Sequence, residues 1–281
     1  MKLCEFIRPA NLAEARDRLR ELGQRGMALA GGTALHFMQA PEPVTAVDIT
    51  RLGLSYIRPE GESFVIGATT PIADIQRYRA PRWAMHEVCR RISTHQIRNV
   101  STIGGNICRV FPWADVPVVL LAMNARMVTY SGKEQEIGAD DFFASQPAQR
   151  FRDGELLTAV KVPNLRMHHG FGSVKVGRNA AAFSLVTVAS VLELENNNIK
   201  AARVAAGSAI PFPRRLLDVE AALVGREATA AVFQEAATKA KAAANWRGRE
   251  GMSADYIQHL AEVSLIDALE RAATFARTRD A

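Results

Sequence analysis

The chain predicts an α+β fold of two successive domains, and three observations predict it. Short strands, hairpins and short helices are intermixed over the first part of the sequence. The last part is a hairpin followed by Ala-rich helical stretches. Between them lies a polar segment bounded by Pro163 and Gly170, which places the division near residue 168 and gives domains 1–168 and 169–281. A length of 281 residues accommodates two ordinary domains with real cores.

The elements follow in order. Asn11-Leu12-Ala13-Glu14 has the form of a capping box, and Leu12, Ala15, Leu19 and Leu22 then share one helical face that should end at Gly23. Met27 to Ala30 and Val44 to Ile49 read as strands, so a strand–loop–strand unit follows the first helix. Tyr56-Ile57-Arg58 and Phe64-Val65-Ile66 flank a Pro-Glu-Gly turn, a hairpin signal. Helices are predicted from Pro71 to Tyr78, from Arg82 to Ile92 and from Ala114 to Met123, the last with Pro117 tolerated in its first turn. Val128 to Tyr130 and Leu156 to Val162 are strands. Leu185 to Glu195 and Ile199 to Ala206 flank an Asn-Asn-Asn turn, and Pro211 and Pro213 break the pattern beyond it. Helices then run from Val219 to Ala244, divided at Gly225, and from Ser253 to Ala276; no internal repeat occurs.

Composition narrows the function. Apolar residues make up 48% and charged residues 23%, which is globular rather than disordered. The net charge of +6 is spread along the chain, with no basic block interleaved with aromatics, so nucleic acid is not an expected partner. The arginine-rich stretches Arg16 to Arg25 and Arg77 to Arg91 read as solvated helix faces, suited to an acidic partner subunit. Cys4, Cys89 and Cys108 show no metal spacing, so neither a zinc nor an iron–sulfur site is expected from this chain, and free thiols fit a reducing cytoplasm. The N-terminal residues lack an apolar signal core and no apolar run reaches spanning length, so a cytoplasmic location without a membrane span is expected.

Two Gly pairs carry the chemistry. Ala30-Gly31-Gly32-Thr33 and Thr102-Ile103-Gly104-Gly105-Asn106 each follow an apolar or β-branched stretch and end in a small polar residue. Glycine permits φ > 0, which turns successive N–H groups into a concave nest for phosphate oxygens. A single Gly pair is more often a plain turn; two together predict a dinucleotide whose linked phosphates are held from two sides.

With its surroundings, His95 to Ile107 followed by Ala114-Asp115, the second run resembles the FAD-binding subunit of molybdenum-containing hydroxylases, the family of xanthine, carbon monoxide, nicotine and isoquinoline dehydrogenases. The resemblance extends through Ile66-Gly67-Ala68-Thr69, the GELLT run Gly154 to Thr158 and the KVGR run Lys175 to Arg178, and so covers nearly the whole chain. It implies a two-subdomain FAD-binding domain of the vanillyl-alcohol-oxidase (PCMH) type followed by a smaller α+β C-terminal domain. It also implies that Ala28, Leu29, Ala30, Gly31, Gly32, Thr33, Ala34 and Leu35 form the first phosphate loop and Thr102, Ile103, Gly104, Gly105 and Asn106 the second. Asp115 matches an acid placed on FAD hydroxyls, and Leu157 and Lys175 match positions near the isoalloxazine ring, with Ile92 and Phe183 among ring-packing positions. Ala34, Ala182 and Phe111-Pro112-Trp113 depart from the family pattern.

The implied activity is electron transfer by an oxidoreductase subunit: FAD on this chain receives electrons from two 2Fe–2S clusters on a small partner, fed by a large molybdopterin partner, in a heterohexamer built as a dimer of heterotrimers. No residue of this chain is then expected to be catalytic toward the organic substrate or to bind metal. Two other readings stay open, a self-sufficient FAD oxidase of the same fold and a nucleotide-binding or assembly subunit without flavin. Several residues also have plainer readings: Asp115 as a first-turn helix acid, Lys175 as a solvated strand lysine, Cys108 as a buried small hydrophobe, and His168-His169 as a polar linker.

Overall fold

The computed structural model describes residues 2–40, 42–179 and 181–278 and forms two compact units. Unit one comprises Met1–Tyr78, Thr94–Val110 and Arg126–Val162; unit two comprises Arg79–Ser93, Phe111–Ala125 and Pro163–Ala281. In chain order, the elements up to residue 163 are β1 (Leu3–Ile7), α1 (Leu12–Leu22), β2 (Gly26–Leu29), β3 (Val44–Asp48), β4 (Ile57–Glu60), β5 (Ser63–Gly67), α2 (Ile72–Arg77), α3 (Met85–Arg90), α4 (His95–Val100), α5 (Ile103–Ile107), α6 (Val116–Ala122), β6 (Arg126–Tyr130), β7 (Glu134–Gly138), α7 (Ala139–Phe142) and β8 (Leu156–Pro163). They are followed by β9 (His169–Val176), β10 (Val186–Glu195), β11 (Asn198–Gly207), β12 (Arg214–Arg215), α8 (Leu217–Leu223), α9 (Ala230–Ala237), α10 (Ala240–Ala243) and α11 (Ala254–Arg277).

Unit one holds two sheets. The first is β1-β3-β2, in which β3 pairs parallel with both neighbours and is buried at every position. Its cover is α1, which begins as predicted: the Asn11 side chain accepts the Glu14 N–H at 2.9 Å, and the Glu14 carboxylate takes the Ala10 N–H at 2.8 Å. Ala15 and Leu19 of α1 pack with Val47, Ile49 and Leu156 in one core cluster. The second sheet runs β4-β5-β8-β6-β7. β5 leads into the segment 68–72, which carries α5: Ile103 N–H donates to Thr70 O at 3.0 Å and Gly104 N–H to Ala68 O at 2.8 Å. Ala68 N–H in turn donates to Thr158 O of β8 at 2.9 Å, so the sheet fixes the height of α5.

Unit two is built on the antiparallel sheet β12-β11-β10-β9 with α11 laid across it. The β10–β11 turn matches its sequence signal, since Asn196 and Asn197 both have φ > 0, at 49° and 66°, as a tight hairpin requires. Ser253 caps α11 through the Tyr256 N–H. The core runs from Val174 to Ala276 and includes Trp246, whose indole N–H reaches Ala240 O at 2.8 Å. Glu220, 6% exposed, accepts the Val204 N–H at 2.8 Å and both Nε and Nη2 of Arg215.

Side chains explain why segments 79–93 and 111–125 belong to unit two. Arg82 donates to the carbonyls of His169, Phe275 and Thr278, closing the C-terminus of α11, and lies over the Phe275 ring at 4.6 Å. Arg203 donates twice to Leu121 O at 3.2 and 2.9 Å, at the end of α6.

Some expectations need correction. The predicted helix from Arg82 starts only at Met85, because Arg82 stands at φ 55°. The predicted Val219 to Ala244 helix is three short ones, interrupted at Gly225 and again between Ala237 and Ala240. His168 is not extended but turned, at φ 67°, and His169 opens β9, so the 163–170 segment ends in a strand. β1 and β7 carry no strand signal in the sequence, yet β1 pairs with β3 through a register shift between Leu3 and Glu5, and β7 pairs with β6 along its whole length. Among the described residues no helix is long and apolar enough to cross a membrane.

Candidate functional site

The first Gly pair leaves β2 as an open loop. Gly32 takes φ 66°, as the sequence requires, while Gly31 does not. Gly31 is needed for closeness instead: an added Cβ would land on the carbonyl oxygen of Val100, with Ser101 Cα 3.2 Å away. Thr33 fixes the same contact, its Oγ1 sharing a 2.8 Å hydrogen bond with Ser101 Oγ. The loop is therefore seated on the residues that immediately precede Thr102, and the two predicted runs meet. Among the described residues, no acceptor takes the N–H groups of Gly31, Gly32, Thr33 or Ala34. Ala28 is exposed, and Leu29 to Leu35 are half-buried. Four consecutive free donors on a half-exposed loop form a ready anion site.

The second run does not form a nest, contrary to expectation. Neither Gly104 nor Gly105 has φ > 0, and both lie in the short helix α5. Its N–H groups are already used: Ile103 and Gly104 on the Thr70 and Ala68 carbonyls, Gly105 on Thr102 Oγ1 at 3.1 Å, and Asn106 on Thr102 O at 3.1 Å. Gly104 is there for close approach, since a Cβ would sit 2.7 Å from Ala68 O. Ile103 is fully buried and can act only through its backbone. What the run offers a ligand is the exposed backbone of Gly105 and the side chain of Asn106. Asn106 Oδ1 is buried with no hydrogen-bond partner among the described residues, as is Thr69 Oγ1 on the segment that holds α5. Buried polar atoms of that kind are rare and mark a missing partner. Thr69 and Ser101 were not singled out from the sequence; their positions within IGAT and next to TIGGN are the only signals that could have found them.

Leu157 sits on β8, 4% exposed, opposite Thr129. Asp115 and Lys175 lie in unit two and are brought together there. Asp115 Oδ1 accepts the hydroxyls of Ser184 and Thr187, and Thr187 Oγ1 also bonds Ser208 Oγ at 3.1 Å. Lys175 Nζ stands 3.4 Å from Asp115 Oδ2 and donates to Arg91 O at 2.8 Å. With side chains 11% and 10% exposed, the pair is a buried ion pair, not a solvated lysine beside a first-turn acid. The carboxylate does accept two hydroxyls, but those two come from the protein's own chain.

The cysteines carry no redox chemistry that the geometry supports. Burial pushes the Cys108 thiol up to about 12, with the Glu155 charge adding to the shift, and Cys89 is fully buried. Cys108 is half-buried rather than buried as expected, so a thiol reagent at pH 8 is expected to modify the exposed Cys4 fastest, Cys108 more slowly because its thiol stays protonated, and Cys89 only after denaturation. Rapid native modification of Cys89 would contradict its burial. Among the described residues no cluster of three or more His, Cys, Asp or Glu could hold a metal ion.

Residues 2–165 match the family model described as the FAD binding domain in molybdopterin dehydrogenase, and residues 174–272 match the CO dehydrogenase flavoprotein C-terminal domain. The glyceraldehyde dehydrogenase medium chain of Sulfolobus acidocaldarius is 32% identical over 85% of this chain and 88% of its own length. The carbon monoxide dehydrogenase medium chain of Hydrogenophaga pseudoflava is 29% identical over 84% of this chain and 85% of its own. A solved carbon monoxide dehydrogenase from Hydrogenophaga pseudoflava superposes with a TM-score of 0.91 at 28% identity, covering 98% of both chains.

Proposed function

Because the chain belongs to the family of FAD-binding domains of molybdopterin dehydrogenases, we propose that it is the flavin-carrying electron-transfer subunit of a three-subunit molybdenum hydroxylase. One observation carries the FAD assignment: four successive unpartnered N–H groups, Gly31 to Ala34, on a loop seated on Val100 and Ser101, with the orphaned Asn106 Oδ1 a few residues further along the chain. Both are what a dinucleotide would satisfy, the first with diphosphate oxygens and the second with a hydroxyl or ring N–H. FAD, when bound, supplies the reversible acceptance and release of electrons.

The chain's own residues bind and position. Gly31, Gly32, Thr33 and Ala34 donate N–H groups, while Ala28, Leu29, Ala30 and Leu35 shape the wall of the loop. Thr102, Ile103 and Gly104 set the height of α5, and Gly105 and Asn106 face the ligand. Asp115, Leu157 and Lys175 are proposed as flavin neighbours from their matching family positions. Lys175 carries a fixed positive charge of the kind that raises a flavin's potential, and Asp115 retains only its Oδ2 side for a further donor. Residues 1–168 would form the FAD domain and 169–281 the C-terminal domain.

In this reading a large molybdopterin subunit oxidises the substrate and a small subunit with two 2Fe–2S clusters delivers the electrons. The assembly is a cytoplasmic dimer of heterotrimers, and the flavin passes electrons to an external acceptor. The test is a visible spectrum of the chain purified gently from its host, with co-purifying bands counted. Flavin and iron–sulfur absorption together with one larger and one smaller partner is the expected result. Flavin on a solitary chain would favour a self-sufficient oxidase, and a colourless chain with both partners would favour an assembly subunit.

A further inference from the structure

Unit two holds two neighbouring arginines that its own acids leave unneutralised. Gly170 and Gly172 of β9 meet the backbone of α11 directly, since a Cβ on either would fall on the carbonyl oxygen of Ala272 or Ala268. That close approach brings Arg271 of α11 to β9, where its Nη1 donates to Ser173 O at 3.4 Å. Two residues further along the same strand, Lys175 Nζ donates to Arg91 O at 2.8 Å and fixes the chain just after α3. Both anchors lie on β9, the outer strand of its sheet, and the two guanidinium groups come within range of each other's charge.

The local charge balance is positive. Arg91 is half-buried, and burial together with the charge of Arg271 holds its pKa below the usual arginine value. Glu87 opposes that effect but acts on Arg91 less strongly than Arg271 does. The Glu87 carboxylate is itself engaged, with Arg90 Nη2 at 2.8 Å and His86 Nε2 at 3.7 Å. Among the described residues no carboxylate forms an ion pair with Arg91 or Arg271, and this includes Asp267 and Glu270, which share α11 with Arg271.

Two such arginines, one of them partly desolvated, repel each other and keep N–H donors without acceptors. An anion between them relieves both costs. A monocarboxylate would cancel only one of the two charges. A phosphate monoester carries a charge of about −1.5 to −2 at neutral pH and three acceptor oxygens, so it matches the pair in charge and accepts N–H donors from both guanidinium groups. We propose that Arg91 and Arg271 form a binding site for a phosphate group, a site that does not depend on the flavoprotein reading. Inorganic phosphate and an organic phosphate monoester share that chemistry.

The full chain as purified is titrated with sodium phosphate, phenyl phosphate and sodium acetate at constant ionic strength while its melting temperature is followed. A ligand that binds only the folded chain raises that temperature saturably. At least one of the two phosphates should do so, and acetate should not. Arg91→Gln and Arg271→Gln should each weaken the effective phosphate roughly tenfold or more, the loss expected for one charge-assisted contact. Arg271→Lys, which keeps the charge but not the planar fork, should fall between wild type and Arg271→Gln. The glycine loop of unit one is also a candidate for phosphate, so the readout is the difference between wild type and variant, which that loop leaves untouched. A response to phenyl phosphate alone would assign the site to an organic monoester, and a response to inorganic phosphate alone would assign it to the free ion. An arginine with a purely structural role would lower the melting temperature of its variant without changing the response to phosphate. Equal phosphate responses in wild type and both Gln variants, or an acetate response as large as that to phosphate, would overturn the proposal.

Discussion

Valine at position 31 is expected to abolish FAD retention while the chain still folds. The reason is local and geometric. An added Cβ at Gly31 falls on the Val100 carbonyl, and neither that carbonyl nor Ser101 can retreat easily, because the Ser101 N–H is held by Ile97 O and its carbonyl by the Ile72 N–H. The loop must therefore lift, carrying the four unpartnered N–H groups of Gly31 to Ala34 out of place. Charge-assisted hydrogen bonds are each worth about 1.5–3 kcal/mol. Loss of two of them thus weakens FAD by roughly a hundredfold or more. The second run supplies graded controls. A Cβ at Gly104 sits 2.7 Å from Ala68 O, so Gly104→Ala should loosen α5 and weaken FAD by less than Gly31→Val. A Cβ at Gly105 meets only Thr102 Oγ1, at 3.1 Å, so Gly105→Ala should be nearly silent. Bound flavin per chain after gel filtration, with circular dichroism for the fold, reads all three. Stoichiometric FAD on Gly31→Val would sink the assignment of this loop.

Signals confined to a few neighbouring residues were legible: the Asn11 and Ser253 caps, Pro117 in the first turn of α6, and the double Asn turn between β10 and β11. The location of the two Gly pairs was legible too. Their mechanical roles were not, because glycine serves both positive φ and close approach, and the latter depends on atoms far away in sequence. Gly104 answers to Ala68, and Gly31 to Val100. β1 was missed because its partner β3 lies far along the chain, and four of its five residues are exposed, so no alternation appears. β9 carries no strand signal because Gly170 closes the polar boundary segment, whereas the missing side chains of Gly170 and Gly172 let the backbone of α11 approach the strand at Ala272 and Ala268. The Asp115–Lys175 pair was invisible for a related reason, since its hydroxyl donors stand on β10 and its approach.

That pair carries the second large effect. Asp115→Ala should cost about 3–5 kcal/mol of unfolding free energy, the range for removing one partner of a buried ion pair. The loss leaves the Lys175 ammonium, 11% exposed, with Arg91 O as its remaining acceptor, and removes the acceptor of the Ser184 and Thr187 hydroxyls, both residues being almost wholly buried. At about 2–4 °C per kcal/mol for a chain of this size, the melting temperature should fall by roughly 6–20 °C. Asp115→Asn keeps an oxygen for the hydroxyls but turns an N–H₂ group toward the lysine, or the reverse, and should be intermediate. A loss below about 1 kcal/mol in Asp115→Ala would mean that water replaces the carboxylate and that the site is wetter than its burial indicates. The double variant Asp115→Leu/Lys175→Met then separates scaffolding from cofactor chemistry. Two apolar residues of similar volume can replace a buried pair at little cost, so stability should recover. A pair that only ties α6 to β9 and β10 would give back the flavin's original midpoint potential along with the stability. A pair whose ammonium stands nearer the flavin than its carboxylate would restore stability while leaving the potential lowered, because the nearer positive charge then outweighs the carboxylate removed with it. Denaturant unfolding and a redox titration on the same preparation decide between these outcomes.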